Sequence, residues 1–196
     1  MLYGEFIAKL LNPFTPLAEL KDMFMLPVPK QIGQIRMTIE RNKSGFNRIW
    51  PKYTLVLSDG AKFLLSGKKR GANATSNYLI SLDQEKLDNK SAGYLGKCRS
   101  NFLGTEFSIY DTGKNPSKNK GKDITSNRCQ HGVVQYETNV LGSKGPRRMK
   151  VFLPNVDANG KQALWRMTTD VSVFCSNLVR TQTLFKSRKS CITQKT

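Results

Sequence analysis

From residue 35 apolar and polar side chains alternate: Ile35, Met37 and Ile39 interleave with Arg36, Thr38 and Glu40. That is the period of a strand with one wet face. Similar short runs follow at 53–57, 62–65, 77–82, 105–110, 133–137 and 149–153. Turn formers separate them at 42–45, 58–60, 67–73, 111–113 and 142–146. Many short strands, short loops and few helical windows predict an all-β barrel or sandwich with antiparallel pairing. Ahead of the strands, residues 5–11 (EFIAKLL) fit one or two peripheral helical turns, stopped by Pro13 and Pro16. Residues 113–130 are poor in apolar groups and rich in Lys, Asn and Ser. They predict a mobile, solvated loop inserted between two strands.

Composition narrows the function classes. The 196 residues suffice for one cored domain with tails, and no run approaches the 18 apolar residues of a spanning helix. With Glu5 and Lys9 interrupting its apolar residues, the amino terminus does not read as a secretory signal. The 32 Lys and Arg outweigh the 14 Asp and Glu to give a formal charge of +18. Such a field attracts polyanions, either nucleic acid or the acidic face of a membrane. Cys98, Cys129, Cys175 and Cys191 form no CxxC pair and His131 is the only histidine, so neither a zinc site nor a disulfide framework is expected. A reducing intracellular compartment fits this usage.

The candidate chemistry sits in the turns. In Gly67-Lys-Lys-Arg-Gly71 two glycines flank three cations directly after an apolar strand. Alternation places Lys68 and Arg70 on one side and Lys69 on the other. A lysine can bridge two phosphates and an arginine fork can grip one pair of oxygens, so Lys-x-Arg suits adjacent phosphates. The same residues also read as an ordinary basic hairpin that keeps the surface soluble. Around Arg99 the small or polar Gly96, Ser100 and Asn101 leave a guanidinium exposed, with Lys97 beside it. The alternative there is a structural arginine bound to a carbonyl or carboxylate. Arg147 and Arg148, after Gly145-Pro146, read as turn-flanking charge that guides encounter more than it grips. No catalytic site is expected, because His131 is read as a lone exposed side chain in the polar loop and no Gly-x-Ser-x-Gly elbow occurs. The aspartates are scattered beside turns, and the Gly67–Gly71 turn lacks the nucleotide-binding Gly-x-x-x-x-Gly-Lys-Ser/Thr pattern. No cofactor is expected.

Three segments in this order, Thr75–Ser81 (TSNYLIS), Gly96–Thr105 (GKCRSNFLGT) and Asn139–Arg148 (NVLGSKGPRR), carry a family resemblance. Six shorter pieces stand in register with them: Arg41–Gly45, Pro51–Tyr53, Phe63–Leu65, Ile109–Asp111, Tyr136–Thr138 and Val151–Pro154. From about Met23 to Pro154 the chain resembles the carboxy-terminal domain of the tubby-like proteins, with a weak echo at Ala163–Trp165. The resemblance implies an antiparallel tubby-type β-barrel. It also implies that Lys68, Arg70 and Arg99 hold phosphatidylinositol 4,5-bisphosphate, with Lys69, Lys97, Arg147 and Arg148 as auxiliary contacts. Family members are implied to act at the cytoplasmic leaflet as monomeric adaptors that carry membrane receptors into cilia, and some to act in the nucleus.

The carboxy end departs from this pattern. Tubby-like domains continue through further strands to an apolar helix that fills the barrel, whereas the resemblance here fades after Pro154. Residues 171–185 are too short and too polar to replace that helix. The expected organisation is an amino-terminal extension (1–22), a partial tubby domain (23–166) and a divergent basic tail (167–196), with the barrel incomplete. The amino-terminal Phe6, Ile7, Leu10 and Leu11 are too few to cover the opening. Two other readings remain at this point. One is nucleic-acid binding through the basic surface with Tyr53, Tyr78, Tyr94 and Phe102 as stacking groups. The other is a truncated product that does not fold.

Overall fold

A computed structural model describes residues 3–58, 62–71, 73–119, 123–137, 148–166 and the backbone of 180–185. Ten strands form one antiparallel sheet: β1 (Met37–Asn42), β2 (Lys52–Leu57), β3 (Lys62–Lys69), β4 (Asn77–Ser81), β5 (Tyr94–Ser100), β6 (Glu106–Tyr110), β7 (Cys129–Tyr136), β8 (Arg148–Leu153), β9 (Trp165–Arg166) and β10 (Arg180–Phe185). Each strand from β1 to β8 pairs with the next, β10 pairs with β8, and β9 joins the start of β7. Among the described residues the order begins at β1 and ends at β10 without closing. The architecture is therefore an incomplete tubby-type barrel, a curled antiparallel sheet. No described helix is long and apolar enough to cross a membrane.

Curling has a local cause. Register shifts at Leu55/Val56, Ile80/Ser81 and Ile109/Tyr110 interpose an extra residue, Leu64, Leu95 and His131 respectively, on the facing strand. A bulge of this kind bends its strand and sharpens the twist. Leu64 and Leu95 are buried and join Val56, Leu57, Leu79 and the fully enclosed Val133 in the core.

Ahead of the sheet, α1 (Tyr3–Leu11) meets the 3-10 turn at Lys30–Ile32, burying Phe6 and Ile32. A second helix, α2 (Leu17–Met25), buries no side chain. Its Leu17, Leu20 and Phe24 stand at helical spacing, a short signal that the strand alternation overshadowed. An ion pair between Lys9 and Glu19 and a hydrogen bond from the Thr15 hydroxyl to the Lys9 carbonyl link the two helices.

Two expectations need correction. Over its described residues the 113–130 segment is not a plain loop: it holds α3 (Pro116–Asn119), a 3-10 turn at Ile124–Ser126 and a bridge between Lys114 and Asn127. Short polar side chains take the place of strand partners. The Asp111 carboxylate accepts from the Gly113 and Cys129 amides, Asp123 accepts from the Thr125 amide, and Asn119 donates to the Asp123 carbonyl. Gly113 permits the closure, since a Cβ there would lie 2.4 Å from the Arg128 Cα. His131 is likewise not an exposed loop residue. It sits in β7, half-buried, and burial pushes its pKa below the ordinary histidine value despite the opposing Asp111 charge.

Candidate phosphate-binding face

Strand register decides which cations meet. Lys52 on β2 stands opposite Lys68 on β3, Lys68 opposite Leu79 on β4, Leu79 opposite Lys97 on β5, and Lys97 opposite Tyr110 on β6. Two residues further along, the Arg70 amide donates to the Asn77 carbonyl, Asn77 stands opposite Arg99, and Arg99 opposite Ser108. Directly opposed residues share a face, so Lys52, Lys68, Arg70, Lys97 and Arg99 present one cationic surface across β2 to β5. Lys68 and Lys97 lie two strands apart, roughly 10 Å between backbones, a gap that long basic side chains span.

Gly96 lets β5 take this place. A Cβ on it would come within 2.1 Å of the Tyr110 carbonyl oxygen, so only glycine tolerates such close approach of β6. The Gly96–Asn101 segment lacks apolar alternation, and pairing on both sides makes it a strand. Strand β5 was thus invisible to periodicity.

The electrostatics of the face are those of an uncompensated cluster. Lys68, Arg70, Lys97 and Arg99 form no ion pair among the described residues. Burial first, then the charges of Arg128, Arg99 and Arg70, pushes the Lys97 ammonium below the ordinary lysine pKa, with Asp111 opposing. Arg70 also acts on Tyr94, whose phenol burial pushes up. At the centre, Asn77 is 6% exposed and its Oδ1 finds no hydrogen-bond partner among the described residues; neither does the buried Nε of Arg99.

Lys69 faces the other way, as alternation requires, and its ammonium lies 5.7 Å from the Trp50 ring centroid. That contact makes it a bracing residue for the turn, with Trp50 also against Gly71. Arg148 opens β8 opposite Phe185, five strands along from β3. Arg147 lies outside the described residues, as do the 142–146 turn and most of the 58–60 turn.

Sequence reading missed two cations of this region. Lys52 was hidden because nothing local links it to Lys68, and Arg128 because it fell in the expected loop. Arg128 is 8% exposed, and its guanidinium sits 4.2 Å from the Tyr110 ring centroid, at cation–π distance. Of the candidate stacking aromatics, Tyr53 and Tyr78 pack edge to face on the opposite side of the sheet, with centroids 5.9 Å apart. Phe102 is exposed, and Tyr94 is partly buried. A concavity of about 880 Å³ lies elsewhere, between Leu17 and the 82–93 loop.

Comparison with known proteins agrees with the fold and with the motifs. The Tub family matches residues 24–193, well past Pro154, where the motif resemblance fades. Mouse Tubby-related protein 2 is 46% identical over 139 residues, covering 68% of this chain and 25% of that protein. Mouse Tubby-related protein 1 is 39% identical over 153 residues, 77% of this chain and 28% of that protein. Protein king tubby of Drosophila virilis is 40% identical over 140 residues, 69% of this chain and 29% of that protein. The chain thus spans between a quarter and a third of the length of these relatives. With the family matched over most of its length, and with an antiparallel, incomplete tubby-type barrel, the chain belongs to the Tub family.

Proposed function

We propose that this chain is a phosphoinositide-binding, membrane-docking module that takes phosphatidylinositol 4,5-bisphosphate at the cytoplasmic leaflet. The observation that carries the reading is the gathering of Lys68, Arg70 and Arg99 on one sheet face without a carboxylate partner among the described residues. Cations held against mutual repulsion on a rigid sheet are ready for an anion, and the ligand supplies the countercharge that the protein lacks. Lys68 bridges neighbouring phosphates, while Arg70 and Arg99 clamp from either side of Asn77. Lys52 and Lys97 extend the positive surface, and the overall +18 charge strengthens attachment to anionic lipid. Peripheral, monomeric docking at the plasma membrane, with adaptor work for receptors bound for the cilium, follows from the resemblance.

Nucleic-acid binding is the competing reading. It has less support, because Tyr53 and Tyr78 stack on the face away from the cations. Co-sedimentation with liposomes carrying bisphosphorylated or monophosphorylated inositol lipid at equal surface charge separates the two. Selective retention by the bisphosphorylated vesicles is expected, with a loss of about tenfold or more in Lys68→Ala plus Arg70→Ala. Equal binding to both vesicles, unchanged by the double substitution, would overturn the proposal.

A further inference from the structure

The turns at one end of the sheet differ in composition from those at the other. Residues 43–51, 70–76 and 101–105 join β1 to β2, β3 to β4 and β5 to β6 at the same end, beyond the row that carries Asn42, Lys52 and Lys68. These three turns hold Lys43, Arg48 and Arg70 and no Asp or Glu. The connections at the opposite end hold Asp83, Glu85, Asp88, Asp111 and Asp123. Charge is thus graded along the strands, and the gradient turns the first end toward an anionic surface.

Large apolar side chains stand among those cations. Phe102 and Leu103, at the tip of the β5–β6 turn, are 85% and 78% exposed, and Ile49 in the β1–β2 turn is 74% exposed. Neither tip is loose chain. The Asn101 Oδ1 accepts from the Thr105 and Glu106 amides, and Gly104 closes the turn at a φ of 68°. Trp50, next to Ile49, packs against Gly71 and takes the Lys69 ammonium at cation–π distance, which ties the β1–β2 turn to the β3–β4 turn. Apolar groups held outward in water gain only from a partner that buries them. In the sheet, β3 and β4 with their cations stand between the two tips. A flat anionic bilayer fits that order, since it offers phosphates to the cations and hydrocarbon to the tips on either side. Stacked bases fit it poorly, because Ile49 and Leu103 have no aromatic face. We infer that Phe102, Leu103 and Ile49 form a membrane wedge: the two tips enter the headgroup–acyl boundary of an anionic bilayer, with Trp50 at its watery edge. The inference rests on the membrane-docking reading and deepens it, because attachment then takes apolar insertion as well as charge.

The test separates the lipid surface from the headgroup. In the full chain, Phe102→Ser plus Leu103→Ser is expected to weaken binding to vesicles carrying phosphatidylinositol 4,5-bisphosphate about tenfold or more. Calorimetric titration of the same variant with soluble inositol 1,4,5-trisphosphate is expected to stay within about twofold of wild type. Ile49→Ser is expected to act in the same way, more weakly. Phe102→Trp supplies a second readout: on vesicles, its added indole emission is expected to shift to the blue and to be quenched by lipids brominated near the top of the acyl chain. The wild type, with Trp50 and Trp165, gives the background for that signal. Thermal unfolding verifies that each variant folds, and Phe102→Trp serves where the double serine variant does not. Equal vesicle affinity in wild type and double variant, or a tip indole that stays unquenched, would overturn the inference while leaving headgroup recognition intact. A parallel fall in trisphosphate affinity would overturn it by making the tip part of the headgroup site. Loss of single-stranded oligonucleotide binding with vesicle binding kept would overturn it in favour of nucleic acid. Wild-type chain that binds neither vesicles nor trisphosphate would overturn the wedge and the phosphoinositide reading together.

Discussion

Between β3 and β6 the two faces of one sheet differ in charge. Lys68, Lys97 and Arg99 stand beside Asn77 and Ser108 on one side. On the other, registered rows run Lys69–Tyr78–Cys98–Ile109–Gly132 and Tyr53–Gly67–Ile80–Gly96. The second side carries the edge-to-face rings of Tyr53 and Tyr78. The cationic rows also hold the buried core residues Leu79 and Val133, so cations and core share one face there. Lys52 faces Lys68 directly, and like charges opposed across a pair are destabilising. On the proposed reading that loss of stability is the counterpart of binding, the trade expected of a functional surface.

Neighbours in the chain show the contrast most sharply. Lys97 and Cys98 are adjacent, face opposite ways and are both desolvated. Burial lowers the pKa of the ammonium and raises that of the Cys98 thiol to about 11. The same loss of water acts with opposite sign because it disfavours whichever form is charged.

The largest effect is expected where the two faces share backbone. Gly96→Val drives a Cβ into the Tyr110 carbonyl and parts β5 from β6, so the rows on both sides are lost together. A loss of about 4 kcal/mol or more, read by urea unfolding, is expected; a change under about 1 kcal/mol would mean that the two strands do not depend on this approach.

A smaller and two-signed effect is expected at Lys97. Lys97→Met keeps the packing stem and removes the charge, so the melting temperature should rise while affinity for bisphosphorylated vesicles falls about tenfold. The pH dependence follows from the lowered pKa. Between that value and the ordinary lysine value the unfolded chain holds a proton that the folded chain has released, so wild-type stability rises with pH there. The advantage of Lys97→Met should therefore be fully present at neutral pH and shrink as the solution turns strongly alkaline. An advantage that grows with pH would contradict the buried cation cluster.

The smallest effect concerns the second side, where Cys98 lies. Cys98, held protonated, should react with iodoacetamide far more slowly at neutral pH in the folded chain than in urea. Equal rates would show that this side is open to water.

Much of this was legible in the residues. Alternation found β1, β2, β3, β4, β6, β7 and β8, and it put Lys68 and Arg70 together and Lys69 apart, as the register does. It missed β5, where Lys97, Cys98, Arg99 and Ser100 offer no apolar rhythm and pairing with β4 and β6 makes the strand. It also misread His131 and the 113–130 segment, whose order comes from Asp111, Asn119 and Asp123 bonding to backbone groups. The polarity that suggests a loop is here the source of its hydrogen bonds.

The sequence by itself determined the strand period, the sign of each face and the excess of cations, because side-chain alternation is a local property of extended backbone. Only the tertiary structure decided that Lys52 faces Lys68, that Arg128 lies over Tyr110 and that Asn77 meets Arg99 with neither satisfied. Those meetings depend on register between strands distant in the chain, set by bulges at Leu64, Leu95 and His131 and by the one residue, Gly96, small enough to let β6 close in.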